Sequence, residues 1–128
     1  MDASLPKSER LCGLKAVGEL FQTGKSASAG CLRCKFLLRG DWEASRMVVS
    51  VPKRSFKRAV KRNLLKRRIR ESYRRQKALL GPGVDILFIY TSAEVLPYEV
   101  IYADMAALLQ AVSARAVQVA NNQVAAYE

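Results

Sequence analysis

Histidine is absent from this chain, cysteine occurs three times, and 11 acidic residues face 22 basic ones. Each shortage excludes something. Without an imidazole, Ser/His/Asp and Cys/His nucleophile systems fall away, as does the commonest general acid–base group. Two-metal nucleases gather carboxylates around their ions, whereas the acidic residues here are scattered along the sequence. No glycine-rich phosphate loop is present. A structural zinc usually needs four Cys or His ligands, and Cys31 and Cys34 have only Cys12 to join them. A redox CxxC sits at a helix start, but CLRCKFLL alternates like a strand, and an odd count opposes a disulfide framework. Ordinary thiols are expected. No apolar run approaches the roughly 18 residues of a membrane span. MDASLPKSER lacks the pattern of a secretory signal, so a cytoplasmic protein is expected.

What the chain has in excess is localised positive charge. Lys53 to Lys77 holds 13 basic residues and one acid, while the remainder holds 9 and 10 and is nearly neutral. An ordinary solvated face mixes both signs. A single concentrated block is the footprint of a phosphate-rich partner.

The length suits one domain, 1–128, with an ordered core at about 9–115, a flexible N-terminal tail and a frayed C-terminus. Leu14, Val17, Leu20 and Phe21 form one apolar stripe, predicting a short helix to Thr23 with Gly24 just past its end. KSASAG reads as a polar connector. In CLRCKFLLR, Leu32, Cys34 and Phe36 alternate with Arg33 and Lys35, and RMVVSV follows a GDWEA turn. The two segments predict an antiparallel hairpin. Ser55 is the expected N-cap of a basic helix reaching about Leu80, stopped by Gly81-Pro82-Gly83. VDILFIY reads as a strand buried on most of its surface. Ile101, Met105, Leu108, Leu109 and Val112 then line one face of a long helix. The resulting order, α-β-β-α-β-α, predicts a single layered α+β domain with helices packed on a central β-sheet.

On a helix at about 100° per residue, Arg62, Asn63, Lys66, Arg67, Arg70 and Arg74 share an arc of about 140°. Leu65, Ile69 and Tyr73 lie on the other side, with Lys61 and Arg68 straying toward it. Arginine forks grip phosphate oxygens in pairs. Asn63 adds a donor and an acceptor, suited to a 2′-hydroxyl or base edge, or is simply a surface amide.

The stretch VPKRSFKRAVKRNLLKRRIRESYR resembles the signature of the protein subunit of bacterial ribonuclease P, with Ala59, Val60, Arg62, Asn63, Lys66, Arg67 and Arg70 at the family's motif positions. Arg10–Leu11, Phe21-x-x-Gly24, the element order and the length fit as well. The resemblance implies a left-handed βαβ crossover on a four-stranded sheet. It also implies a non-catalytic protein subunit of a ribonucleoprotein endoribonuclease, monomeric apart from its RNA and remote from any membrane. The partner would be a catalytic RNA, which holds the magnesium ions and removes the 5′ leader of precursor tRNA. The RNA-binding set would be Arg58, Lys61, Arg62, Asn63, Lys66, Arg67, Arg70 and Arg74. The leader cleft would draw on Phe21, Arg33, Lys35, Phe36 and Lys53. Arg33 and Lys35 are alternatively solvent-exposed only, and Phe36 is either core or cleft. Two positions depart from the family pattern: Leu64 replaces a frequent arginine, and Val17 replaces a cleft aromatic. Two other readings fit the charge: a structural RNA-binding protein of ribosomal type, and a DNA-binding protein with its basic helix in a major groove.

Overall fold

The computed structural model describes Gly18, Leu20, residues 24–39 and residues 42–126. Four strands, β1 (Lys25–Ala29), β2 (Leu32–Leu38), β3 (Arg46–Ser50) and β4 (Val84–Tyr90), form one sheet in the order β1-β2-β4-β3. Helix α1 (Ala59–Gln76) connects β3 to β4, and α2 (Tyr98–Ala126) follows β4. Gly18 and Leu20 are helical, within the first predicted helix, whose other positions lie outside the described residues.

Two expectations are corrected. KSASAG supplies a strand: Ala27 and Ala29 pair with Cys34 and Leu32, and both alanines pack on the core. Its small residues carry little strand propensity of their own, so pairing with β2 supplies what composition does not. The second correction concerns the expected hairpin. β2 and β3 do not touch as neighbours; β4 lies between them, antiparallel to β2 and parallel to β3. The most apolar strand takes the centre, where both its faces are covered. A parallel β3–β4 pair requires a crossover connection, and α1 is that connection.

The register sorts the sheet into two faces. Leu32, Cys34 and Phe36 of β2 align with Tyr90, Phe88 and Ile86 of β4, and Met47 and Val49 of β3 continue the same rows. Both helices cover this face. Leu65, Ile69 and Tyr73 of α1 are buried as predicted, and Tyr73 meets Phe88 at 5.6 Å between ring centroids. Ile101, Met105, Leu108, Leu109 and Val112 of α2 are all fully buried. Each such side chain contributes roughly 2 kcal/mol of burial. The opposite face carries Leu37, Leu87, Ile89 and Val48, and Leu20 packs there. Gly24 closes that first helix: its N–H donates to the Leu20 carbonyl at 2.9 Å, and an added Cβ would lie 2.3 Å from that oxygen.

The basic helix starts later than expected. Pro52 accepts from the N–H groups of Ser55 and Phe56, so Ser55 belongs to a turn, and Arg58 is the N-cap. Phe56 enforces this turn by burying its ring beside Tyr90, 5.8 Å away. At the other end, α1 stops at Gln76, and a 3-10 turn over Lys77–Leu79 leads into the Gly-Pro-Gly stop. α2 continues as helix to Ala126, where fraying was expected.

α2 also grips the edge hairpin at two points. The Cys31 N–H donates to Asp104 Oδ2 at 3.0 Å, and Arg115 Nη1 donates to the Ser26 carbonyl at 2.7 Å. Gly30, at φ +55°, makes the two-residue β1–β2 turn, and an added Cβ would lie 2.3 Å from the Asp104 carboxylate. Gly30→Ala is therefore expected to cost about 2 kcal/mol from backbone strain alone. The crowding with Asp104 adds to that. Thermal unfolding checks it, and a midpoint equal to wild type would show that the turn relaxes freely.

Candidate nucleic-acid interface

Why α1 carries its charge outward follows from its buried stripe. Leu65, Ile69 and Tyr73 fix the inward side, which leaves Asn63, Arg67 and Arg70 exposed. With Arg74 and Glu71 they line a shallow depression of about 380 Å³ along the C-terminal half of the helix. Arg58 and Lys61 instead line a separate hollow of about 330 Å³ at the helix start, together with Lys57 and the Phe56 edge. The predicted cationic face is thus brought together in two clusters. Lys66 is half-buried between them along the helix.

Arg62 has a further role. Its Nη1 donates to the carbonyls of Phe56 at 2.6 Å and Lys57 at 2.8 Å. This ties down the turn that leads into a helix lacking a side-chain cap. Arg68 strays sideways as expected, and its Nη1 donates to the Leu96 carbonyl, pinning α1 to the loop before α2.

Arg74 is tied to Glu71, which receives its Nε at 2.9 Å and also its Nη2; Arg75 Nε reaches the same carboxylate at 3.0 Å. Hydrogen bonds from Arg74, then Arg75, draw the Glu71 carboxyl down to about 2. Sequence reasoning passed over Glu71, although a lone acid three and four residues before two arginines signals such a pair. Because the folded pKa lies below the unfolded value, the contribution is complete above about pH 5 and is lost as pH falls toward 2. The pair is solvent-exposed, so the effect is small. Wild type is expected to lose its stability advantage over Glu71→Gln across that acid window. Thermal midpoints from pH 6 to 2 test this, and parallel curves would contradict it.

The expected leader surface divides as well. Arg33 is exposed and Lys35 half-buried, in rows with Ile89 and Leu87 on the sheet face that Leu20 covers in part. Ser50 shares the Arg33 row, and Lys53 follows it, exposed, at the same end of the sheet. Phe36 does not belong with them. It is fully buried on the opposite face, with Arg115 Cζ 5.9 Å from its ring centroid. The period-2 alternation decides this, since Phe36 follows the inward Leu32 and Cys34. Phe21 and Val17 lie outside the described residues. Leu64 is half-buried on α1.

Beneath the far end of this face lies a group that sequence reasoning missed. Asp85, buried in β4, accepts from Arg46 Nε at 2.9 Å and Nη2 at 2.7 Å, with Arg39 Nη1 at 3.4 Å. Arg39 also donates to the Ala44 carbonyl at 2.8 Å, holding the β2–β3 loop. The two described thiols are ordinary: burial pushes Cys31 up to about 12 and Cys34 to about 11. Cys12 lies outside the described residues. Among the described residues, no group of three or more His, Cys, Asp or Glu side chains could hold a metal, and no helix is long and apolar enough to cross a membrane.

Comparison with known proteins bears on this arrangement. The family model described as Ribonuclease P matches residues 5–113. The ribonuclease P protein component of Porphyromonas gingivalis (strain ATCC 33277) is 41% identical over 90 residues, covering 69% of this chain. The aligned stretch spans 66% of that relative, just under two thirds of its length. The solved RNase P protein of Thermotoga maritima is 27% identical and superimposes with a TM-score of 0.71, over 80% of this chain and 96% of that one. The Staphylococcus aureus RNase P protein shares the fold, with a TM-score of 0.71 at 23% identity over 81% and 94% of the two chains. The match over most of the chain, with a relative 41% identical, places this chain in the ribonuclease P protein family.

Proposed function

We propose that this chain is the protein component of a ribonuclease P, which removes the 5′ leader of precursor tRNA to leave the mature 5′ end. The observation that carries this is the outward cluster of Asn63, Arg67 and Arg70 on α1, in a chain of this family. Exposed arginine forks at helical spacing grip successive phosphates, and Asn63 among them reads a 2′-hydroxyl or base edge. That face is assigned to the catalytic RNA. The sheet face bearing Arg33 and Lys35, with Lys53 at its end, is assigned to the single-stranded leader, whose phosphates it would neutralise. Family membership supports an RNA that performs the cleavage and binds the magnesium ions. The protein's part is then to add positive charge where two RNAs meet and so lower the magnesium needed. One protein copy per RNA, acting in the cytoplasm, completes the reading.

Reconstitution at low magnesium tests it, with purified chain, a cognate ribonuclease P RNA and 5′-labelled precursor tRNA. Cleavage at the mature 5′ end that needs both components is expected. Tight RNA binding with no gain in cleavage would instead make this a structural RNA-binding protein. Cleavage by the chain alone would place the chemistry in the protein.

A further inference from the structure

A groove of about 540 Å³ opens where the end of α1 meets the start of α2, lined by Arg75, Tyr98, Glu99 and Tyr102. None of these residues belongs to the RNA-binding or leader sets above. The Tyr98 and Tyr102 rings lie 5.8 Å apart at 50°, and Arg75 Cζ sits 5.9 Å from the Tyr98 ring centroid. Tyr102 remains 38% exposed, which leaves one ring edge open to a ligand. The backbone beneath is fixed, since Gln76 Nε2 donates to the Tyr102 carbonyl at 3.1 Å. The Tyr98 hydroxyl is shielded from water and has no hydrogen-bond partner. Packing and the Arg75 guanidinium, rather than its hydroxyl, hold that ring in place.

We propose that this groove takes one unstacked guanine of a single-stranded RNA segment, an inference that rests on the RNA-binding reading above. Aromatic faces beside an arginine are the common platform for a splayed base. Continuity favours RNA over a protein segment. Glu71 joins Arg74, on the depression of α1, to Arg75, on this groove, so a strand following the basic face runs directly into it. Glu99 sets the base. A carboxylate only accepts hydrogen bonds, and guanine alone offers two adjacent donors, N1–H and N2–H, on its Watson–Crick edge. Uracil offers the same carboxylate a single donor, N3–H, flanked on both sides by carbonyl oxygens that oppose it.

The test uses the full chain with the pentanucleotides UUGUU and UUUUU at fixed salt, alongside binding to the large cognate RNA. Wild type is expected to bind UUGUU about tenfold more tightly than UUUUU. Tyr102→Ala is expected to weaken UUGUU about tenfold, within the range for one stacked base. Glu99→Gln, exposed and conservative, is expected to bring the ratio of the two oligonucleotides to within about twofold. Unchanged affinity and ratio in both Tyr102→Ala and Glu99→Gln, with large-RNA binding intact, would overturn the guanine site and leave the RNA-binding reading standing. Loss of large-RNA binding in wild type would overturn the RNA reading itself.

Discussion

Replacing Arg67 and Arg70 together by alanine is expected to weaken binding to the catalytic RNA by roughly ten- to a hundredfold and to lower the salt slope by about two. Both side chains are exposed and line one depression with Asn63. Unlike Arg62 and Arg74, neither is drawn to a protein oxygen among the described residues. Each is thus available to a phosphate, and each phosphate neutralised releases counterions. Their buried neighbours Leu65, Ile69 and Tyr73 are untouched, so the fold should survive. Binding measured across a salt series reads both quantities. An unchanged slope would remove these arginines from the interface. Arg62→Ala should behave differently: it frees the carbonyls of Phe56 and Lys57, costing about 1–2 kcal/mol of stability. The loss of binding would then be partly a loss of helix entry.

The largest effect on stability is expected from Asp85→Ala. The carboxylate is buried and holds two arginines, Arg46 in β3 and Arg39 just past β2. Removing a buried carboxylate that two arginines share costs about 3 kcal/mol. Arg46 can turn partly to water, which limits the cost, but Arg39 is only 15% exposed and cannot do so without releasing the β2–β3 loop. A fall of roughly 10 °C in the unfolding midpoint follows. Asp85→Asn should fall less, because the amide oxygen still accepts one arginine hydrogen bond. Equal midpoints for Asp85→Ala and wild type would show that the group contributes nothing net.

How much of this was legible in the sequence depended on what each residue reports. Periodicity reports burial, so Leu65, Ile69 and Tyr73 of α1 and the five apolar positions of α2 were placed correctly from spacing alone. Pairing is not local, and there the reading failed. β2 and β3 are close in sequence and of matching character, yet each prefers β4, because only β4 is apolar on both faces. KSASAG was invisible as a strand because its strand character lies in its partner. The basic face was legible as charge, but not its internal bonds. Arg62 looked like its neighbours until its position above the Phe56 turn was known, and nothing in VDILFIY marked Asp85 as the partner of two arginines. Phe36 was left between core and cleft, although the alternation that placed Leu32 and Cys34 inward already decided it.

The central position of β4 has a consequence for how the chain is made. β1, β2, β3 and the whole cationic helix leave the ribosome before Val84 does, and β2 and β3 have no pairing with one another to fall back on. The edge hairpin then waits longer still, since Asp104 and Arg115, which hold it from α2, come after every strand. Translation therefore delivers the most strongly charged segment of this protein first and its means of folding afterwards. For that interval the nascent chain is a tethered polycation, held beside ribosomal RNA, with no finished sheet behind it.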